Sequence, residues 1–346
     1  MKVLKIVGIV ILLGLIISGI FGYRYYNMIF MQNVPNELKT DLVKIPTGSD
    51  FDEVVKILKT QGVIEDEMSF RWVANQMNYI KNPMREGQYK IEAGISNKRL
   101  ISILRGYRQT PVQFVIHNKR VLPQIAGACG KGFEADSLDF LAALMDESFW
   151  EEYGYNLETA MSTFIPNTYQ LYWTTTPQEF CVRMIKEHDT FWEKNNRKAK
   201  AKTLGFSQEE IYTLASIVET ESQHKPERPR IAGVYVNRLE RGIPLQADPS
   251  VVFAWKDFTI RRILNYHLEI ESPYNTYKYA GLPPGPIYMS SISSIDAVLN
   301  AEKHNYLYFC AKPDLSRTHN YAKTLSAHNV NARNYHRWLN QQGIKK

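Results

Sequence analysis

IYTLASIVETESQHKPERPRIAGVYVNRLERGIPLQADP, residues 211–249, is the stretch that decides how this chain is read. Its first part carries apolar residues at helical spacing. Leu214, Ile217 and Val218 lie seven, four and three residues before Glu221 and share its face. Glu219 points elsewhere, towards the side of Ser216 and Ser222. A carboxylate on an apolar face is costly to ionise, so its pKa should rise. A glutamate that keeps its proton near neutral pH can act as a general acid. The pattern alone fits a helix-surface glutamate paired with Lys or Arg as well. A second helix is expected at about 227–241, stopped by Gly242. Asp248, in LQADPS, precedes Pro249 and can be a turn residue, a helix cap or a second carboxylate; ordinary glycosidases use two.

Outward from this stretch, 346 residues predict two to three domains. Hydrophobic content of 44% with 22% charged is ordinary globular composition, enough for a sizeable core. The 21 Tyr residues suit sugar-binding surfaces, and equally a core and surface rich in Tyr. Residues 6–23 are uncharged and mostly apolar, long enough to span a bilayer. Lys2, Lys5 and the α-amine precede them, which keeps the N-terminus cytoplasmic and the rest extracytoplasmic. A cleaved signal peptide is the rival, but its apolar core is usually shorter and no A-x-A-like site follows. Net charge is +7 and spread along the chain. The densest basic run, KNNRKAKAK at 194–202, reads as a solvated helix or loop face; with an extracytoplasmic location, nucleic acid is not an expected partner. Cys129, Cys181 and Cys310 are far apart with no C-x-x-C, so neither zinc nor a disulfide framework is supported, and small buried cysteines are expected.

The predicted organisation is α+β. Residues 1–26 are the cytoplasmic N-terminus and transmembrane anchor, and 27–40 a stalk. Residues 41–110 form a small module. It should hold a strand from Leu42, a helix capped by Thr47, Ser49 or Asp50, a second helix around Phe70 and Trp72, a strand at 88–92, and a helix capped by Ser96 and ended by Gly106. Residues 111–346 form the main domain, opening with a strand at 111–117. Its 118–210 part is mainly helical, interrupted by FIPNTYQLYW (164–173). Residues 251–255 are a short apolar run, and 272–290 an ordered loop rich in Tyr, Pro and Gly. A helix at about 293–301, a strand at 306–310 and a helix at about 326–341 complete it.

In the loop, Tyr274, Asn275 and Tyr277 of SPYNTY match what a sugar needs: amide and phenol groups for its hydroxyls, and rings for its apolar faces. A self-bonded loop, with Asn275 satisfying backbone groups, is the alternative. GLPPGP (281–286) lacks the G-K-[ST] ending of a phosphate loop. His319 and His328 are nine apart, not at the i, i+4 spacing of a helical zinc pair, so no metal and no cofactor is expected.

Taken together, FIPNTY (164–169), LASIVETES (214–222), IAGVYVNRL (231–239), LQADPSV (245–251), SPYNTY (272–277), GLPPGPI (281–287) and the His328–Asn329 pair resemble the endolytic murein transglycosylases, the YceG-like group. The resemblance covers nearly the whole chain. It implies a LysM-like subdomain at 41–110 followed by a YceG-like catalytic domain. It also implies Glu221, the second Glu of the E-x-E string, as catalytic residue. Glu219 and Asp248 would support it, and Tyr274, Asn275, Tyr277, Gln246, Asn167, His328 and Asn329 would hold substrate. Ser222 and Ser250 stand where Thr is common, each keeping a hydroxyl, and RTHNYA lacks a Gly often found before its His. The implied reaction is non-hydrolytic cleavage of the N-acetylmuramic acid–β-1,4–N-acetylglucosamine bond of nascent peptidoglycan strands, leaving 1,6-anhydro ends and possible termination of strand growth. The enzyme would sit in the cytoplasmic (inner) membrane with its catalytic domain in the periplasm or extracytoplasmic space, beside the peptidoglycan synthesis machinery. A catalytically inactive peptidoglycan-binding scaffold and a two-carboxylate muramidase are the alternatives.

Overall fold

The computed structural model describes residues 2–106 and 108–343. Met1, whose α-amine enters the charge argument above, lies outside them, as do Tyr107 and residues 344–346. The described chain is a mixed α+β structure that separates into two compact units. One runs from the N-terminus through Gln113 and takes in Gly132–Glu134 and Gln170–Thr175. The other is built from Phe114–Lys131, Ala135–Tyr169 and the chain from Thr176 onward.

In the first unit one helix, Lys2–Phe30, is long and apolar enough to cross a membrane, and its apolar side chains from Leu4 through Tyr26 stay exposed. The helix continues past residue 26, and the segment expected as a stalk is packed rather than free. Tyr25 stacks on Trp72 with centroids 4.9 Å apart. Asn97 donates to the Met28 carbonyl and to Ser69 Oγ, both at 2.9 Å, and accepts from Asn33 at 2.7 Å. Val34 is fully buried. Beyond it, strands Leu42–Ile45 and Gly87–Lys90 pair antiparallel with Val43 opposite Tyr89. Helices Phe51–Thr60, Glu67–Gln76 and Asn97–Arg105 cover them, capped by Asp50, Asp66 and Ser96. Val43, Ile45, Val55, Leu58, Phe70, Tyr89, Leu100 and Leu104 make the core.

The second unit is organised around Gln208–Glu221. Ser207 and Glu210 form a capping box, and every residue from Ile211 to Val218 is buried. A helix apolar on all sides must be surrounded. Its neighbours are the helices Arg228–Glu240 and Ile292–Leu299, with Asp248–Trp255 beside them. Polar ties fix it to two irregular segments. Tyr212 donates to the Phe164 carbonyl at 2.8 Å and accepts from Ser290 N at 3.1 Å, while Ser216 Oγ accepts from Ile287 N at 3.0 Å. The FIPNTY and GLPPGPI strings therefore serve as braces for this helix. Gly285 allows the second brace, because a Cβ there would lie 2.0 Å from the Glu158 carbonyl oxygen. Strands Tyr308–Ala311 and His319–Ala322 form an antiparallel hairpin against the C-terminal helix Leu325–Gln341.

Two expectations change in detail. Residues 251–255 belong to a helix, Asp248–Trp255, entered through Ala247, which offers no side-chain cap to read in sequence. The basic run at 194–202 is partly internal: Arg197 is buried in a bidentate pair with Asp296 at 2.8 and 3.0 Å, and Lys198 pairs with Glu193. Cys129 and Cys181 are buried, and burial pushes both thiols up, Cys181 to about 12, so neither is a nucleophile at neutral pH.

Candidate active site

Glu221 is the last residue of its helix, where the chain leaves the core after Val218. Tyr235, on the Arg228–Glu240 helix, donates its hydroxyl to Glu221 Oε1 at 2.9 Å. Burial pushes the Glu221 carboxyl up, the Tyr235 hydrogen bond pulls it back, and the nearby charge of Asp248 raises it again; it stands at about 7. The helix C-terminus, with its partial negative charge, disfavours the anion in the same sense.

Glu219, two residues earlier, has the opposite state. Arg228 holds it bidentately, both contacts at 3.1 Å, and Ser291 and Ser294 donate to it. Burial pushes this carboxyl up too, but the two serine hydroxyls and Arg228 outweigh it and bring it below its ordinary range. Glu219 is thus a fixed anion that ties three helices together. The two carboxyls are thus pushed to opposite protonation states, and of the two Glu221 is the one poised to exchange a proton near neutral pH.

A cavity of about 370 Å³ opens at Glu221. Asp248, at the start of its helix, lines it and accepts a short hydrogen bond from the Tyr277 hydroxyl. Gln246 also lines it, in a left-handed conformation at φ +54°. Its Oε1 accepts from Arg238, which donates further to the Pro244 and Leu307 carbonyls, each at 2.9 Å. The Arg238 guanidinium lies over Tyr308 at 5.3 Å, and Tyr308 stacks on His328, centroids 5.3 Å apart. Burial and then the charge of Arg238 lower the pKa of His328, and its buried Nδ1 has no hydrogen-bond partner among the described residues.

The fold therefore brings together Glu221, Asp248, Gln246, Tyr277 and His328 from the sequence-predicted set. It does not bring in the others. Asn275 is a correction: it is 0% exposed, with its amide donating to the Leu268 and Ile270 carbonyls and its Oδ1 accepting from Tyr277 N. It shapes the loop, as the self-bonded alternative had it, and does not line the cavity. Tyr274 packs on Phe253, centroids 4.8 Å apart, outside the cavity wall. Asn167 is exposed at the start of the strand Asn167–Leu171, accepting from Thr168 N. Asn329 is exposed beside His328. His319 pairs with Glu227 at 3.0 Å instead of lining the cavity. Tyr235, Arg238 and Tyr308 were not singled out from sequence. Tyr235 and Arg238 are three apart on one helical face, the one local signal that linked them.

Comparison with known proteins matches residues 43–334 to the YceG-like family. The chain belongs to this family. A Bacillus subtilis relative named endolytic murein transglycosylase is 32% identical over 339 residues, covering 91% of this chain and 89% of its own. A Streptococcus pneumoniae protein of the same name is 28% identical over 324 residues, and the chain spans 58% of its length. A crystal structure of a YceG-like protein from Listeria monocytogenes superposes with a TM-score of 0.55 at 28% identity, covering 84% of this chain and 97% of that one. Among the strings of this YceG-like chain, FIPNTY and GLPPGPI brace the helix that ends in Glu221, whereas IAGVYVNRL and LQADPSV supply the cavity wall itself.

Proposed function

We propose that this chain is a membrane-anchored peptidoglycan lytic transglycosylase, cleaving the bond between N-acetylmuramic acid and N-acetylglucosamine within glycan strands. The observation that carries the reading is Glu221: a carboxyl held near pKa 7, hydrogen-bonded by Tyr235, at the edge of a polar, Tyr-lined cavity. Near neutral pH it supplies both the acid and, after one proton transfer, the base.

In the first half of the reaction Glu221 gives its proton to the departing N-acetylglucosamine O4 as the C1–O4 bond breaks. The resulting carboxylate then takes the proton of the muramyl C6 hydroxyl, whose oxygen closes onto C1. A 1,6-anhydro end results, Glu221 is protonated again, and no water is consumed. The substrate brings its own nucleophile, so the second carboxylate of a hydrolase has no proton to move. Asp248, steadied by Tyr277, offers negative charge for the cation that develops at C1. Gln246, Tyr277, Tyr308 and the ring of His328 line the cavity, where sugar hydroxyls and ring faces can meet them. Glu219 is a positioning residue that holds the helix.

The same proposal assigns residues 1–26 as a single-pass anchor with a cytoplasmic N-terminus. It assigns 41–110 as a LysM-like subdomain and 111–346 as the catalytic domain, working outside the cytoplasmic membrane beside the synthesis machinery. The exposed apolar helix and the excess of positive charge before it support the topology.

The test is mass spectrometry of products from uncrosslinked strands treated with the full chain or with Glu221→Gln. Anhydromuramyl ends from the wild type, lost by at least about 10²-fold in the variant, are the expected result. Reducing ends would instead make the chain a hydrolase.

A further inference from the structure

A second cavity, of about 520 Å³, lies on the other side of Asp248, which lines both. Its wall carries four guanidinium groups, Arg120, Arg228, Arg261 and Arg262, against two carboxylates, Glu219 and Asp248. Arg228 is paired with Glu219, and Asp248 accepts the Tyr277 hydroxyl, which leaves the wall two guanidinium groups in excess of its carboxylates. The remaining three arginines are in no ion pair among the described residues. Arg120 is held ready: its guanidinium sits over Phe258 at 4.8 Å and Tyr288 at 5.4 Å, and Met289 N donates to the Lys119 carbonyl at 2.8 Å, fixing that stretch beside Tyr288. Arg261 and Arg262 are exposed on the loop after Asp248–Trp255. Unpaired arginines gathered at one cavity repel one another, and an anion relieves that repulsion.

The geometry points to this cavity as a subsite for the carboxylates of the peptide stem attached to the muramyl residue. It rests on the reading of Glu221 as the glycan-cleaving acid. A muramyl residue at the scissile bond carries its stem at O3 of the same ring, so the stem must leave the catalytic cavity within one sugar of the reacting bond. The arginine-lined cavity shares a wall residue with that site and has the sign and room for such a chain. A lipid-linked pyrophosphate is also an anion. It lies at the strand terminus, however, which an endolytic cut leaves at a distance. Arg120, Arg261 and Arg262 would therefore set substrate choice rather than perform the chemistry.

The experiment compares strands bearing intact stems with the same strands stripped by an amidase, using the full chain in detergent micelles. The wild type should have the higher kcat/KM on stem-bearing strands. Arg261→Gln combined with Arg262→Gln should lose roughly three- to tenfold on that substrate, as expected for one or two solvent-exposed charge pairs, and keep its rate on stripped strands. Arg→Lys at both positions should restore most of the loss, and added salt should shrink the preference. Equal wild-type rates on the two substrates would overturn the inference. So would an equal loss on both, which means a structural role, or an arginine effect seen only on strands ending in lipid pyrophosphate. Absence of anhydro products from either substrate would strike the catalytic reading instead, so the two failures are told apart.

Discussion

Replacing Glu221 by Gln should change how stability depends on pH, and the size of the change follows from the site. The Glu221 carboxyl moves from an ordinary 4.5 to about 7 in the folded chain. Each unit is worth 1.36 kcal/mol, so the shift amounts to roughly 3 kcal/mol. The sign comes from proton counting. Between pH 4.5 and 7 the folded state holds a proton that the unfolded state has released. Stability from this group is therefore complete below about 4.5 and lost as pH rises through about 7. Gln keeps the shape, can still meet the Tyr235 hydroxyl, and does not titrate. The stability of Glu221→Gln minus that of the wild type should rise by roughly 3 kcal/mol from pH 4 to pH 8. Urea unfolding at a series of pH values, followed by tryptophan fluorescence, measures it as a difference in midpoint, and all other titrating groups cancel between the two proteins. A difference that stays flat within about 0.5 kcal/mol would refute the argument that burial keeps this acid neutral, and with it the physical basis for its proposed catalytic role.

Two further outcomes follow from its neighbours. Tyr235→Phe removes the hydrogen bond that lowers the Glu221 pKa. The alkaline limb of the kcat/KM profile should move upward while the rate at the optimum falls about tenfold, as loss of one charge-assisted hydrogen bond suggests; an unmoved limb would deny the contact. Glu219→Gln leaves the buried Arg228 without its anion, and should destabilise the second unit by about 3 kcal/mol, read by thermal or urea unfolding; a change under about 1 kcal/mol would mean that Arg228 finds other partners.

Much of this was legible in local sequence pattern. Leu214, Ile217 and Val218 repeat at helical spacing before Glu221, and that pattern named the helix and set Glu221 on its apolar face, because a helical period carries direction as well as class; it left an acid and a surface glutamate equally open. Asp50 and Ser96 announced their helices through side chains that cap them. The partners across the cavity were not legible. Tyr235 reaches Glu221 only through the packing of two helices, and no spacing within a sequence encodes that. Arg238 and Tyr308 meet because a hairpin folds back over a helix. Asn275, read as either a glycan contact or a self-bonding loop residue, stayed undecided for a related reason. An amide in a Tyr-rich loop has the same composition whether it turns outward to a ligand or inward to its own backbone, and here two carbonyls claim it. Asp248 was named as a carboxylate, but the second cavity behind it depends on Arg120, more than a hundred residues earlier in the chain.

The packing of Tyr25 on Trp72 and of Asn97 on the Met28 carbonyl has a mechanical side. A helix that ends in a flexible tether lets its cargo roam, whereas one whose last turns are built into the folded body carries that body as a post carries a sign. Set in a bilayer, the Lys2–Phe30 helix would hold the first unit flush with the surface, free to drift sideways and to spin but not to rise. What the first unit can touch is then chosen by its height above the lipid.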